Sequence, residues 1–209
     1  MPRLLLIRHG ENDLSKRGVL AGRLPAVHLN ETGRRQAQEL AEALCRLPIK
    51  AVYSSPLERA VETAEPLAKA LGIRVRQNEG LIESDVGVWQ GKSVRRLALT
   101  RYWTTVQRAP SRASHPGGES FLETQLRIVS TLESIVSRHR PKDMIACVFH
   151  SDPIKLAVAH FVGLPLDNFQ RLGCDPGSVT MLSVGQSNAM LIWLNRQPPF
   201  TFLPAKGLI

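Results

Sequence analysis

Arg8-His9-Gly10-Glu11 follows directly on the apolar run Leu4-Leu5-Leu6-Ile7. His150-Ser151-Asp152 follows in the same way on the run Met144 to Phe149. Between them, Ala51-Val52-Tyr53 leads into Ser54-Ser55-Pro56, which sets Arg59 in the first turn of the helix that comes next. A neutral imidazole is a nucleophile, and guanidinium forks match the oxygens of a phosphate. If the three runs are parallel neighbours in one sheet, both histidines and both arginines meet at the carboxyl ends of the strands. Helix N-termini there add positive potential. The pattern points to binding or transfer of a phosphoryl group. Taken singly the residues are ordinary: a histidine at a strand end can be structural, and Arg8 can pair with a surface carboxylate. A zinc site from His9 and His150 lacks a third ligand at a recognisable spacing. His28, His115, His139 and His160 read as structural.

The elements that must position these residues alternate. Leu4 to Ile7 and Met144 to Phe149 are continuous apolar runs, as strands covered on both faces should be. Asn30 is a candidate cap for a helix with Ala37, Leu40, Ala41 and Leu44 on one face. Ser55-Pro56 reads as N-cap and N1 of a helix bearing Leu57, Ala60, Val61, Ala64, Ala68 and Leu71, kinked at Pro66 and closed by Gly72. Ser120 and Glu123 form a capping box for a helix reaching about His139. Asp152-Pro153 reads as the cap of a helix with Ile154, Ala157, Val158 and Phe161 inward. Val179 to Val184, a turn over Gly185 to Asn188, and Ala189 to Leu194 make a final strand pair. Strands alternating with helices predict an α/β fold, a three-layer αβα sandwich on a mostly parallel sheet. The pattern breaks between Gly80 and Gly118. We expect one domain over residues 1–209 with an insertion at about 80–118 over the active site.

Composition narrows the function classes. The chain of 209 residues carries 27 Lys and Arg against 18 Asp and Glu, a formal charge of +9, which suits nucleic acid or a small anionic substrate. The arginines are scattered, with no run of five basic residues and no aromatic-rich RNA-binding pattern, which favours the small anion over nucleic acid. The apolar runs are too short to span a bilayer, and no signal peptide is evident, so neither membrane nor export is expected. Three widely spaced cysteines, Cys45, Cys147 and Cys174, form no disulfide or zinc pattern. A reducing, cytoplasmic setting is the expectation.

The Arg8-His9-Gly10-Glu11 block resembles the signature of the histidine phosphatase superfamily, in its phosphoglycerate-mutase-like branch. Further motifs carry the resemblance in order. They are Ala21-Gly22-Arg23; Leu29 to Gly33 with Gln36-Ala37; Ser54 to Leu57 with Arg59-Ala60 and Thr63-Ala64; Leu81-Ile82-Glu83 followed by Gly87, Trp89 and Gly91; Pro116 to Ser120; and His150. The matches run from Leu4 to about Leu194. The resemblance implies that His9 is the nucleophile, forming a phosphohistidine. It implies that Arg8, Arg59 and His150 bind the phosphoryl group, and that Glu83 donates a proton to the leaving oxygen and then activates water. Asp85, two residues on, is the competing acid. Ser15, Ala21, Gly22 and Ser151 would complete the substrate pocket, Gly22 holding its loop close enough for backbone amides to reach substrate oxygens. No metal is implied, since two arginines and a histidine supply the charge a metal supplies elsewhere. For Glu83 to donate, its site must raise its pKa. The chain departs from the family pattern at Asn12, Ser15, Gln90 and Ser151.

The expected activity is a phosphomonoester phosphatase for a small anionic phosphorylated metabolite. The region Ser84 to Phe149 lacks the longer insertion by which the branch's mutases shield the phosphoenzyme, which favours water as acceptor. The alternatives are a phosphomutase of the phosphoglycerate mutase type, the one case in which bisphosphoglycerate would be a cofactor, and a non-catalytic sensor of phosphoesters. Trp89, Arg95, Arg96, Tyr102, Trp103 and Arg108 are candidates for the pocket mouth. A homodimer is the possible assembly.

Overall fold

The computed structural model describes residues 1–185 and 188–200. Its strands are β1 (Arg3–Arg8), β2 (Ile49–Ser54), β3 (Val75–Gln77), β4 (Met144–Phe149), β5 (Val179–Val184) and β6 (Ala189–Arg196). The helices are α1 (Asp13–Lys16), α2 (Glu31–Leu44), α3 (Glu58–Ala70), α4 (Val94–Leu97), α5 (Arg101–Arg108), α6 (Phe121–Ser137) and α7 (Ser151–Phe161). The strands form one sheet in the order β3-β2-β4-β1-β5-β6. The β3-β2, β2-β4 and β4-β1 pairs are parallel, and β5 runs against both β1 and β6. Of the turn read over Gly185 to Asn188, Gln186 and Ser187 lie outside the described residues.

The apolar runs are strands because both faces are covered. Successive side chains of a strand point to opposite faces. Leu4 and Leu6 accordingly pack with Ile128, Leu132 and Ile135 of α6 and Ile154, Ala157 and Val158 of α7. Leu5 and Ile7 pack with Leu40, Ala41 and Leu44 of α2 and Ala60, Ala64 and Leu67 of α3. The result is the expected αβα layering. A third cluster joins Val86, Trp89, Leu97, Val106 and Ala113 to Phe121, Leu156, Ala159 and Phe169, fastening the segment between β3 and α6 to the start of α6 and to α7.

Two helix starts differ from the sequence reading. The α3 helix begins after Leu57, not at Ser55-Pro56, because the chain stays extended through Leu57 (φ −68°, ψ 137°). The α7 helix begins two residues earlier than Asp152-Pro153 suggests: His150 itself occupies the extended N-cap position (φ −124°, ψ 163°). Pro66 lies inside α3, which continues through it to Ala70. The caps at Asn30 and at Ser120 with Glu123 are as read, each side chain accepting a backbone N–H of the first turn.

Candidate active site

The carboxyl ends of β1, β4 and β2 lie side by side, because β1 pairs with β4 and β4 with β2. That adjacency brings Arg8, His9, Arg59 and His150 to one place. His9 and His150 face each other with ring centroids 5.2 Å apart. Both are buried, at 5% and 0% exposure. The His9 Nδ1 atom is 2.7 Å from Gly10 O. A carbonyl only accepts, so Nδ1 carries the proton and Nε2 presents a lone pair. Arg59 Nε stands 3.3 Å from that Nε2.

Arg8 is held by one arm and Arg59 by two, Nε on His9 and Nη2 on Gly22, and each keeps a further N–H without a protein partner. Arg8 Nη1 donates to Cys174 O at 2.6 Å. Arg59 Nη2 donates to Gly22 O at 2.8 Å. Arg8 Nε, Arg59 Nη1 and His150 Nδ1 are buried and meet no protein partner. Buried donors of this kind cost free energy unless something accepts from them, and three converging donors suit a tetrahedral oxyanion. The electrostatics agree. Burial, then the charges of Arg59 and Arg8, hold the His9 pKa well below the ordinary histidine value. Burial, then Arg59, His9 and Arg8, do the same for His150. The His9 imidazole is therefore neutral near pH 7, as a nucleophile must be.

Glu83 enters from the loop after β3. Its Oε2 lies 3.8 Å from His150 Nδ1, and its side chain is 18% exposed. Burial, then the nearby Asp152 carboxylate, push its pKa up to about 7, against the opposing pull of Arg59, the Ser84 N–H and Arg8. It is half protonated near neutrality, which fits a group that gives a proton in one step and takes one in the next. Asp85 does not share this position. Its Oδ1 accepts the Gly87 N–H at 2.9 Å, its Oδ2 is 3.8 Å from Arg23, and it does not line the cavity.

The cavity has a volume of about 260 Å³. Its lining includes Arg8, His9, Ser15, Ala21, Gly22, Arg59, Glu83 and Ser151. His150 stands behind, touching His9 and Glu83. Ser15 is engaged locally: its hydroxyl donates to Asn12 O and accepts the Asn12 N–H in the capping box of α1. Gly22 contributes its carbonyl to Arg59. It has φ +53°, and a Cβ there would fall 2.6 Å from Val86 Cγ2 and 2.8 Å from Gln90 Cγ. Gln90 holds the same loop by accepting the Arg23 N–H at 2.7 Å.

The expected mouth residues are placed otherwise. Trp89 is buried and packs on Trp103, Tyr102 and His115 at centroid distances of 5.7, 6.0 and 5.6 Å. Arg95, Arg96 and Arg108 are exposed, and none of the six lines the cavity. In that segment the aromatic rings pack on one another and within the apolar cluster around Phe121 and Phe169. The wall next to the cavity is made instead by the chain at Gly18 to Leu20, zipped to Gly91 to Val94 by Leu20 N–H to Lys92 O, Gly91 N–H to Leu20 O and Val94 N–H to Gly18 O.

Several supporting residues have no role assigned by the sequence, although Ser55, Thr63, Glu119 and Arg23 lie within the motifs that carry the resemblance and only Arg127 lies outside them. Ser55 Oγ lies 2.8 Å from His150 Nε2. Thr63 Oγ accepts the Gly10 N–H at 3.0 Å and donates to Arg59 O at 2.7 Å, joining the two arms of the site. Arg127 of α6 donates to Gly80 O and Ile82 O, each at 2.9 Å, and so pins the loop that carries Glu83. Glu119 binds Arg127 and Arg23 at 2.8 and 2.9 Å, and Arg23 Nε returns to Glu83 O at 2.8 Å. Among the described residues, no group of three His, Cys, Asp or Glu is placed to hold a metal ion.

A neutral imidazole, convergent cations and a carboxyl titrating near neutrality around a small cavity define a phosphoryl-transfer site. The sequence profile of the histidine phosphatase superfamily (branch 1) matches residues 4–197, and the chain belongs to that family. Phosphoserine phosphatase 1 of Hydrogenobacter thermophilus is 30% identical over 198 residues, covering 93% of this chain and 92% of that protein. The 2,3-bisphosphoglycerate-dependent phosphoglycerate mutase of Thermoplasma acidophilum is 30% identical over 188 residues, 86% of each chain. A mycobacterial glucosyl-3-phosphoglycerate phosphatase solved with VO3 superposes with a TM-score of 0.85 at 28% identity, over 93% of this chain and 99% of that one. The chain is accordingly a phosphohistidine-dependent phosphatase of small phosphorylated metabolites.

Proposed function

We propose that His9 is the nucleophile and Glu83 the proton carrier of a two-step phosphomonoester hydrolysis. The observation that supports this best is the unprotonated His9 Nε2, which accepts a long hydrogen bond from Arg59 Nε, with Glu83 across the site on His150. In the first step Nε2 bonds to phosphorus, the ester P–O bond breaks, and the leaving oxygen takes the Glu83 proton. In the second, Glu83 takes a proton from water, the hydroxide oxygen bonds to phosphorus, and the P–N bond breaks to restore neutral His9. Arg8 Nε, Arg59 Nη1 and His150 Nδ1–H take the phosphoryl oxygens. Phosphoryl transfer demands positioning and charge stabilisation, which these donors supply. Ser15, Ala21, Gly22 and Ser151 shape the pocket around the ester, and the reading calls on no metal.

His9→Ala should abolish turnover while the fold and phosphate binding persist. Quenched wild-type enzyme should carry phosphate that is acid-labile and alkali-stable, as a phosphohistidine is and a phosphoserine is not. Near-normal turnover by His9→Ala would overturn the assignment. Dialysis against EDTA should leave the rate unchanged.

A further inference from the structure

We propose that Gln36 of α2 is a positioning residue for His9, aiming the imidazole through the single peptide unit that joins Gly10 to Glu11. This rests on His9 being the nucleophile, as in the hydrolytic reading above, and adds the side chain that holds it.

That peptide is hydrogen-bonded at both ends. Its carbonyl, Gly10 O, accepts the His9 Nδ1–H at 2.7 Å. Its N–H, on Glu11, donates to Gln36 Oε1 at 2.8 Å. Both directions are forced, since a carbonyl only accepts and a backbone N–H only donates. A trans peptide is flat, with its C=O and N–H pointing opposite ways. Gln36 therefore fixes the plane, and the plane fixes where Gly10 O meets the ring.

The chain on either side leaves Gln36 little freedom. The Gly10 N–H, one peptide earlier, donates to Thr63 Oγ at 3.0 Å. The Asn30 N–H, at the cap of α2, donates to Glu11 O at 3.1 Å. Gly33, in the first turn of α2, comes so close that a Cβ there would fall 2.0 Å from Glu11 O. This contact seats Gln36, one turn further along α2, beside the Glu11 N–H. Gly177 covers Gln36 from another side, where a Cβ would lie 3.1 Å from Gln36 Cβ. The Gly177 N–H in turn faces Arg8 O and His9 O, at 3.2 and 3.3 Å.

The linkage serves attack at phosphorus in two ways. It sets the orientation of the ring, which decides whether Nε2 lies in line with the leaving oxygen. It also polarises the ring: an acceptor on the Glu11 N–H makes Gly10 O a stronger acceptor and Nε2 more electron-rich. Burial, then the charges of Arg59 and Arg8, disfavour a proton on His9, and the Gly10 hydrogen bond opposes them. Arg59 Nε, 3.3 Å from Nε2, favours the same tautomer from the far side of the ring. That contact is given up when the Nε2 lone pair bonds to phosphorus, whereas the Nδ1–H bond to Gly10 O persists in the phosphohistidine.

The test compares the full-length wild type with His9→Ala, Gln36→Met and Gln36→Glu, using p-nitrophenyl phosphate and rapid quenching. Gln36→Met keeps a long unbranched side chain against Gly177 and removes the acceptor; Gln36→Glu keeps the acceptor. Gln36→Met should slow phosphohistidine formation by about 10-fold, with vanadate affinity within about 2-fold of wild type. Gln36→Glu should recover most of the rate. In the proton NMR spectrum the His9 Nδ1–H resonance, assigned by its loss in His9→Ala, should move upfield in Gln36→Met and return in Gln36→Glu. A side chain that merely docks α2 would change the Tm without moving either the rate or the resonance. An unchanged rate in Gln36→Met, or equal losses in Gln36→Met and Gln36→Glu, would overturn the proposal and leave the nucleophile standing. Near-normal turnover by His9→Ala would remove the nucleophile and this inference with it.

Discussion

The hydroxyl of Ser55 stands 2.8 Å from His150 Nε2 and decides which nitrogen of that ring faces the substrate. Ser55 Oγ also lies in line with the Leu57 N–H, from which it accepts at 3.4 Å. Ser55 is buried, and among the described residues its O–H has no acceptor other than Nε2, so the hydroxyl donates to Nε2. His150 then carries its proton on Nδ1, which points towards Glu83 and the phosphoryl site. Ser55 is a positioning residue that acts through His150.

Ser55→Ala should therefore lower kcat with p-nitrophenyl phosphate by about 10-fold, the worth of roughly one hydrogen bond, with a smaller change in KM. Ser55→Thr keeps the hydroxyl and should recover most of the loss. Equal losses in both variants would point to packing rather than to the tautomer.

Gly22→Ala tests the other side of the site. The residue has φ +53°, and the new methyl would meet Val86 Cγ2 at 2.6 Å. The loop must move, and the Gly22 carbonyl that orients Arg59 moves with it. We expect kcat/KM to fall by roughly 100-fold, since misplacing a catalytic group by about 1 Å has that order of cost. Vanadate affinity should fall in parallel, measurable by calorimetry.

The sheet and its active-site edge were legible because their signals are local. Met144 to Phe149 is a strand with the bounds its apolar run suggests, and His150 sits at its end. Leu4 to Ile7 alternates between two helical layers as period-two geometry requires. What was illegible depends on distant partners. Ser55-Pro56 has the form of a helix start, yet its hydroxyl is drawn to a histidine 95 positions away. The strand β3 has only three residues, Val75 half-buried and Arg76 and Gln77 exposed, and no alternation to read. Arg127 looks like any helix arginine; only the fold shows it holding Gly80 O and Ile82 O. Trp89 and Trp103 have the residue type of a ligand wall but serve as core.

Glu119 links stability to pH. Its burial raises its pKa, but the hydrogen bond from Arg127, the Asp85 N–H and the charges of Arg127 and Arg23 outweigh that and hold it at about 2. A carboxylate depressed in the folded state stabilises it above the unfolded value, and the stabilisation is lost as pH falls from about 4.5 towards 2. Glu119→Gln should cost roughly 2 kcal/mol at pH 7, read from urea unfolding. The difference from wild type should shrink as the pH is lowered through that window. It should also loosen the Glu83 loop, so activity should fall with stability.

Glu83 is distinguished from a mere spectator by the leaving group. Its pKa of about 7, raised by burial and then by Asp152, leaves it protonated below that value and ionised above it. Formation of the phosphohistidine from an alkyl ester needs the protonated form, so that step should slow as pH rises through 7. Breakdown of the phosphohistidine needs the ionised form, so that step should slow as pH falls through 7. A bell-shaped profile follows for alkyl esters, with both limbs set by one group in two successive steps. A nitrophenolate leaves without help, so its release should show a weak alkaline limb. Glu83→Gln should slow alkyl phosphates by roughly 100-fold or more, and nitrophenyl phosphate much less in the burst phase that reports the first step. Steady-state turnover of both should suffer, because water loses its base. Asp85→Asn, whose side chain caps Gly87 outside the cavity, should leave the leaving-group dependence intact. If Glu83→Gln slowed the alkyl and aryl bursts equally and kept the alkaline limb, the carboxyl would be a positioning group for His150 and the proton would have to come from elsewhere.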